Sequence, residues 1–344
     1  MLLLAPVRRP VARAAFAATA LVALLGGMLG GCALSAEDRA EQTIAASSSE
    51  SATFTLSAPA DVIVTEDVPV GPLSAGRSVD ICRAEGSAEP RPAVLAVHGG
   101  SWARGDKAHP DWRTVCAWLA GEGFVGVSVN YRLAPEHPFP AGADDVATAA
   151  AWAQSPAAEG YGIDPDRTAL LGGSAGGNLA ALVALEAAAG SGSARGGLAP
   201  IDAVVTLSSP LDLAADAATS PTFEQSMLDY LDCTDRAACP AAAAASPQTF
   251  VTGNAPHILV VHGMREQLIP VRQAEAFISA LEIQGAPVTA ELIDSEAHSI
   301  GLLDVRLADR IAEWLRSVLV SAPVVEALDD GDGLGEDVLG EAAE

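Results

Sequence analysis

The run Leu170-Leu171-Gly172-Gly173-Ser174-Ala175-Gly176-Gly177-Asn178 is the strongest constraint on what this chain can fold into. It sets a G-x-S-x-G sequence between an apolar segment, residues 168–171, and an alanine-rich segment that reads as a helix. A serine so placed calls for strand, sharp turn and helix in that order, because only then does its hydroxyl stand clear of the sheet. The flanking glycines let the strained turn close without side-chain clashes. A Gly-Ser-Gly cluster in an ordinary loop is the plain alternative, and the rest of the chain decides between the two. Phosphate cradling fits less well, since the run is neither G-x-G-x-x-G nor a glycine-rich stretch ending in Gly-Lys-Ser/Thr.

A serine hydroxyl is a weak nucleophile at neutral pH and needs a base, an orienting carboxylate and donors for the oxyanion. Upstream, residues 93–97 read as a buried strand running into His98-Gly99-Gly100-Ser101-Trp102. Small residues in such a turn leave backbone N–H groups pointing into a site. Gly100 and Ser101 are the expected donors, joined by the N–H of Ala175, with Gly99 shaping the turn. His98 reads as structural: six histidines are present and one base is enough.

The chain order expected of this architecture is Ser, then Asp or Glu, then His. His298 is the last histidine, between a predicted strand at 288–293 and a final amphipathic helix at 302–320, and is the expected base. His262 competes, but it ends a predicted strand at 258–261 and precedes Gly263, so it reads as a turn former. Glu266 is the only carboxylate in residues 262–270. There it would accept from the imidazole Nδ1–H, fix the tautomer and stabilise the imidazolium. Asp294, four residues before His298, is the competing acid.

With 344 residues, half of them apolar, the chain is long enough to bury a large core in one α/β domain. Strand-like runs at 94–98, 125–130, 203–207, 258–261 and 288–293 alternate with helical patterns at 111–120, 144–154 and 273–284 and with the helix after Ser174. That alternation predicts a mostly parallel sheet covered on both faces. Runs at 62–68 and 78–82 fit an antiparallel edge.

These residues together resemble the α/β-hydrolase superfamily, in its hormone-sensitive-lipase-like and BD-FAE-like carboxylesterase branch. His98 to Trp102 resembles the HGG-x-W signature, residues 130–141 resemble the YRLAPEHPFPA segment, and residues 172–179 resemble GGSAGGNL. The resemblance covers about residues 60–320. It implies Ser174 as nucleophile, His298 as base, Glu266 as acid, and Gly100, Ser101 and Ala175 at the oxyanion site. It also implies short-chain acyl esters as substrates and no cofactor, and a place on the cell surface would add glycan-linked esters. Since only about sixty residues lie between Cys32 and His98, mostly a tail or short strands, the long N-terminal helical cap of many hormone-sensitive-lipase-like enzymes is expected to be small or absent. Two departures stand out: Glu266 where the family usually has Asp, and Ser299-Ile300 where Gly-Phe usually follows the histidine. Arylformamidases and serine peptidases share parts of the pattern, and so do binding proteins built on a hydrolase scaffold that has lost a triad member. His298, which such binding proteins commonly lack, argues against them here.

Arg8, Arg9 and Arg13 precede an apolar stretch at 14–25, and Leu29-Gly30-Gly31-Cys32 fits a lipobox. The apolar stretch is shorter than the ~20 residues that span a bilayer, so residues 1–31 read as a signal peptide and Cys32 as a lipidation site. Ordinary cleavage near Ala36 and free secretion is the alternative. Residues 32–59 read as a flexible tether, 60–320 as the catalytic domain and 321–344 as an acidic disordered tail. The expected location is the outer face of the cell membrane. Of five cysteines, four remain after Cys32 for an oxidising compartment. Cys233 and Cys239 form the better pair and leave Cys82 with Cys116, with free thiols as the alternative. No cysteine or histidine spacing resembles a metal site. The net charge of −25 argues against nucleic acid as a partner.

Overall fold

The computed structural model of the protein describes residues 55–71, 77–86, 89–190, 198–215 and 220–320. The expected signal segment, Cys32, all but the last residues of the expected tether and the acidic stretch at 321–344 fall outside the described residues. Among those described, no helix is long and apolar enough to cross a membrane.

Eight strands, β1 (Val62–Pro69), β2 (Ser78–Ala84), β3 (Arg91–Val97), β4 (Val125–Val129), β5 (Ile163–Gly173), β6 (Ala203–Leu207), β7 (His257–Gly263) and β8 (Val288–Ile293), form one sheet. Their order is β1-β2-β4-β3-β5-β6-β7-β8. The expected antiparallel edge is present: β2 pairs antiparallel with both β1 and β4, while β3 to β8 pair parallel. Helices α1 (Pro110–Gly121), α2 (Ala141–Ala153), α3 (Pro156–Glu159), α4 (Ala175–Ala188), α5 (Pro221–Leu231), α6 (Pro240–Ala244), α7 (Arg272–Ile283) and α8 (Val305–Leu319), with short 3-10 turns at Arg236–Ala238, Pro247–Phe250 and Ser299–Leu302, complete the described elements.

Central strands covered on both faces read as unbroken apolar runs. Every residue of β4 and of β6 is buried. Along β3, Ala93, Leu95 and Val97 pack toward Val146 of α2 and Leu182 of α4, whereas Val94 and Ala96 pack toward Leu119 of α1 and Ile311 of α8. In α8, Leu307, Ile311, Leu315 and Leu319 recur every fourth residue and make the stripe that meets the sheet. This helix starts later than the periodicity predicts. Residues Ser299–Leu302 form a 3-10 turn, and the Asp304 carboxylate accepts from the Leu307 N–H at 2.8 Å to cap the first turn.

The antiparallel edge is tied down twice. Asp80, fully buried on β2, accepts from Lys107 Nζ at 2.5 Å, Arg113 Nη2 at 3.1 Å and the Asp67 N–H at 2.9 Å. Next to it the Cys82–Cys116 disulfide joins β2 to α1, and a second disulfide, Cys233–Cys239, lies between β6 and β7. The two bridges close sequence separations of 34 and 6 residues. Chain-entropy arguments then predict losses of about 4 kcal/mol for the Cys82→Ala/Cys116→Ala pair and about 2 kcal/mol for Cys233→Ala/Cys239→Ala. Urea unfolding of both double variants measures the order. Equal losses would show that packing rather than loop closure dominates.

Candidate active site

Strand order reverses around β3, which has β4 on one side and β5 on the other, and in open α/β sheets the crevice beyond the carboxyl ends at such a point holds the ligand. The sequence-predicted residues sit there. His98 to Trp102 follow β3, Ser174 follows β5, Glu266 follows β7 and His298 follows β8.

Ser174 stands between β5 and α4 with φ 54° and ψ −124°. A non-glycine residue held in such a region costs about 1–3 kcal/mol and persists only where its surroundings over-determine it. Here the Ser174 N–H donates to Leu207 O at 2.8 Å, and its carbonyl accepts from the N–H groups of Gly177 and Asn178 at 3.0 and 3.1 Å. A Cβ on Gly172 would overlap the Gly176 carbonyl, and one on Gly176 would overlap the Val97 carbonyl. Side chains at these positions would push the serine off its turn.

The loop after β3 takes three successive left-handed residues, Gly100 (φ 120°), Ser101 (φ 52°) and Trp102 (φ 56°). Gly99, the expected turn former, has no positive φ; it is small because an added Cβ would sit 2.9 Å from the Gly173 carbonyl oxygen. The turn itself is closed by the Gly100 carbonyl, which accepts from the N–H groups of Ala103 and Arg104 at 3.1 Å each. Among the described residues, the N–H groups of Gly100 and Ser101 have no protein acceptor. Ala175 opens α4, so its N–H has no partner within the helix.

His298 Nδ1 lies 2.9 Å from Glu266 Oε2 and 3.1 Å from Oε1. The Glu266 side chain is fully buried and also accepts from the Ile269 N–H at 2.5 Å. Burial pushes this carboxyl up, but the hydrogen bond and charge of His298 and the Ile269 N–H outweigh it, and the group is held below the usual glutamate value. Asp294, the competing acid, is 78 % exposed and pairs with Arg265 at 3.2 Å instead. His262 is buried, with Nε2 2.9 Å from Ile269 O, and burial lowers its pKa. His98 is likewise buried and held below its usual pKa by desolvation; its ring stacks on Tyr131 at 4.3 Å, and the Tyr131 hydroxyl donates to His98 O. Both act as struts of their loops.

Ser174 and His298 border one cavity of about 220 Å³, with Gly99, Gly100 and Ser101 along one side and Trp112 and Leu268 as apolar walls. Hollows of about 380 and 350 Å³ elsewhere on the protein contain no histidine. Three contributors have no role assigned by the sequence alone. Arg104 borders the cavity. Ser299 borders it too, at φ 59°, and its hydroxyl occupies the space that a side chain on Gly173 would need. The left-handed backbone gives a physical reason for glycine being usual at this position. Asn178 accepts from Trp102 Nε1 at 3.3 Å and donates to the carbonyls of Pro210 and Ala245. Its place in the serine run was the only signal.

A carboxyl whose folded pKa lies below its unfolded value adds stability that is present above the unfolded value and disappears as pH falls through the folded one. Glu266→Gln is therefore expected to flatten the acid limb of the stability curve below pH 4.5, the ordinary value for this group. Urea midpoints of wild type and variant between pH 3 and 7 would measure this, and parallel curves would contradict it.

The sequence profile of the BD-FAE family matches residues 79–281. Esterase LipQ of Mycobacterium tuberculosis is 31 % identical over 273 residues, 77 % of this chain and 62 % of its own length. Esterase LipC of the same organism is 32 % identical over 258 residues, 67 % of this chain and 62 % of its own. The chain thus spans about three fifths of the length of these relatives. Among solved structures, a truncated carbohydrate esterase from gut microbiota superposes with TM-score 0.68 at 22 % identity, covering 77 % of this chain and 100 % of that one. Esterase B from Lactobacillus rhamnosis superposes with TM-score 0.65 at 20 % identity, covering 81 % and 94 %. Those two likenesses are of fold. With the profile covering more than half of the chain and the eight-stranded sheet in agreement, the chain belongs to the BD-FAE family and has the α/β-hydrolase fold.

Proposed function

We propose that this protein is a serine carboxylesterase that hydrolyses short-chain acyl esters through an acyl-serine intermediate. The observation that carries the reading is the His298 imidazole held at 2.9 Å by the buried Glu266 carboxylate, on the rim of the cavity that Ser174 also borders. Ser174 Oγ attacks the ester carbonyl carbon and His298 Nε2 takes its proton. The oxygen that gains the charge is met by the N–H groups of Gly100, Ser101 and Ala175, whose geometry is set before substrate arrives. His298 returns the proton to the departing alcohol, and water then repeats the sequence on the acyl-serine. Glu266 stays ionised throughout and stabilises the imidazolium. None of these steps calls on a cofactor.

The cavity of about 220 Å³ supports small acyl groups over long chains. Relatives named as esterases and a structural neighbour named as a carbohydrate esterase support small-molecule or glycan-linked esters as substrates. Lipidation at Cys32 and a place on the outer face of the membrane are part of the proposal. The lipobox residues support the anchor, and two disulfides fit an oxidising compartment.

The test is hydrolysis of p-nitrophenyl esters from acetate to decanoate. Ser174→Ala is expected to lower kcat by about 10⁶ and Glu266→Gln by about 10⁴, as triad members in other serine hydrolases do. Asp294→Asn is expected to leave the rate unchanged, and rates to peak at the short end of the series. Wild type no faster than Ser174→Ala would sink the reading.

A further inference from the structure

Acids outnumber cations by more than two to one in this chain. Accordingly, the described cations are mostly neutralised: Arg77, Lys107, Arg113, Arg132, Arg310 and Arg316 each bind a carboxylate. Arg83, Arg91, Arg104 and Arg306 have no such partner among the described residues, and of these four Arg104 is the one that borders the Ser174 cavity. It is also exposed. The nearest acid in sequence, Asp106, is turned elsewhere, accepting from the Ala108 N–H at 2.7 Å and from Asn130 Nδ2 at 3.2 Å. No carboxylate lines the cavity, since Glu266 lies buried behind His298.

The position is also fixed. The Arg104 N–H donates to the Gly100 carbonyl at 3.1 Å, and its backbone carbonyl and Cγ crowd the space where a Gly100 side chain would stand. The guanidinium stem therefore leaves the same turn that carries the expected oxyanion donors. An unpaired guanidinium presents a planar fork of N–H groups matched to a carboxylate, and in a strongly acidic protein it is the local exception to a field that repels anions.

We propose that Arg104 is a specificity residue that selects ester substrates bearing a carboxylate a few bonds from the scissile carbonyl. This rests on the esterase reading above and narrows its substrate class. On binding, the substrate carboxylate supplies the partner that the chain withholds from Arg104.

Two isosteric pairs test it by pH-stat titration of the full chain: ethyl hydrogen succinate against ethyl 4-methylpentanoate, with the charge on the acyl side, and 3-acetoxypropanoate against 3-methylbutyl acetate, with the charge on the alcohol side. In wild type at low salt, kcat/KM for the anionic member of one pair is expected to lead its neutral isostere by about tenfold, the low end of what a charged hydrogen bond contributes. The lead should shrink in 0.5 M salt, vanish in R104Q and survive in part in R104K. Neutral esters hydrolysed with no anionic preference in either pair, or a preference that R104Q retains, would overturn the proposal while leaving the esterase reading intact. Failure to cleave any of the four esters or p-nitrophenyl acetate would overturn both.

Discussion

At the carboxyl end of this sheet, backbone meets backbone with nothing between. Val97 at the end of β3, Gly172 at the end of β5 and Gly176 in the first turn of α4 approach so closely that no Cβ fits. Everything at the site depends on that contact. It sets the angle at which α4 leaves β5, holds Ser174 in its left-handed conformation and brings the loop after β3 alongside it. A hydroxyl on a softer turn would relax toward an ordinary rotamer and backbone, since the strained state is less stable by about 1–3 kcal/mol.

A second ring of interactions holds the loop after β3 from behind. Tyr131 stacks on His98 and donates to its carbonyl, the Ala134 N–H donates to the Trp102 carbonyl, and Arg132 binds Asp145 through Nε at 2.7 Å. Asp145 is fully buried and also pairs with Arg77. Burying such charges repays its desolvation cost only when every partner is in place. The YRLAPEHPFPA-like segment thus serves as a brace: its residues reach the loop carrying the expected donors while standing outside the cavity.

Much of this was legible in sequence because it lies in local pattern. The alternation of apolar runs and helical periods marks a mostly parallel sheet, and the run at 288–293 coincides with β8. Ser174, Glu266 and His298 are recognisable by order along the chain. Less legible was whatever depends on tertiary contact. Helices α5 and α6 fall in the segment between β6 and β7, where Phe223, Met227 and Tyr230 are buried by packing on the body rather than announced by a long period. The left-handed turn centres on Gly100 rather than Gly99, because two adjacent glycines look alike until one of them meets Gly173. Ser299 is readable as a departure from Gly, yet its positive φ emerges only once the chain must turn from His298 into α8.

Trp102 joins two regions that usually are treated as separable. Its backbone belongs to the left-handed run after β3, while its ring lies parallel to Tyr230 of α5 at 4.5 Å and near Phe223 at 6.0 Å. The segment inserted between β6 and β7 is therefore bolted to the loop that carries the expected oxyanion donors. Diversity in such insertions is commonly treated as interchangeable decoration on a conserved engine. In this protein a transplanted insertion lacking the aromatic pair would arrive with a loosened engine, so swapping insertions and preserving turnover are one design problem.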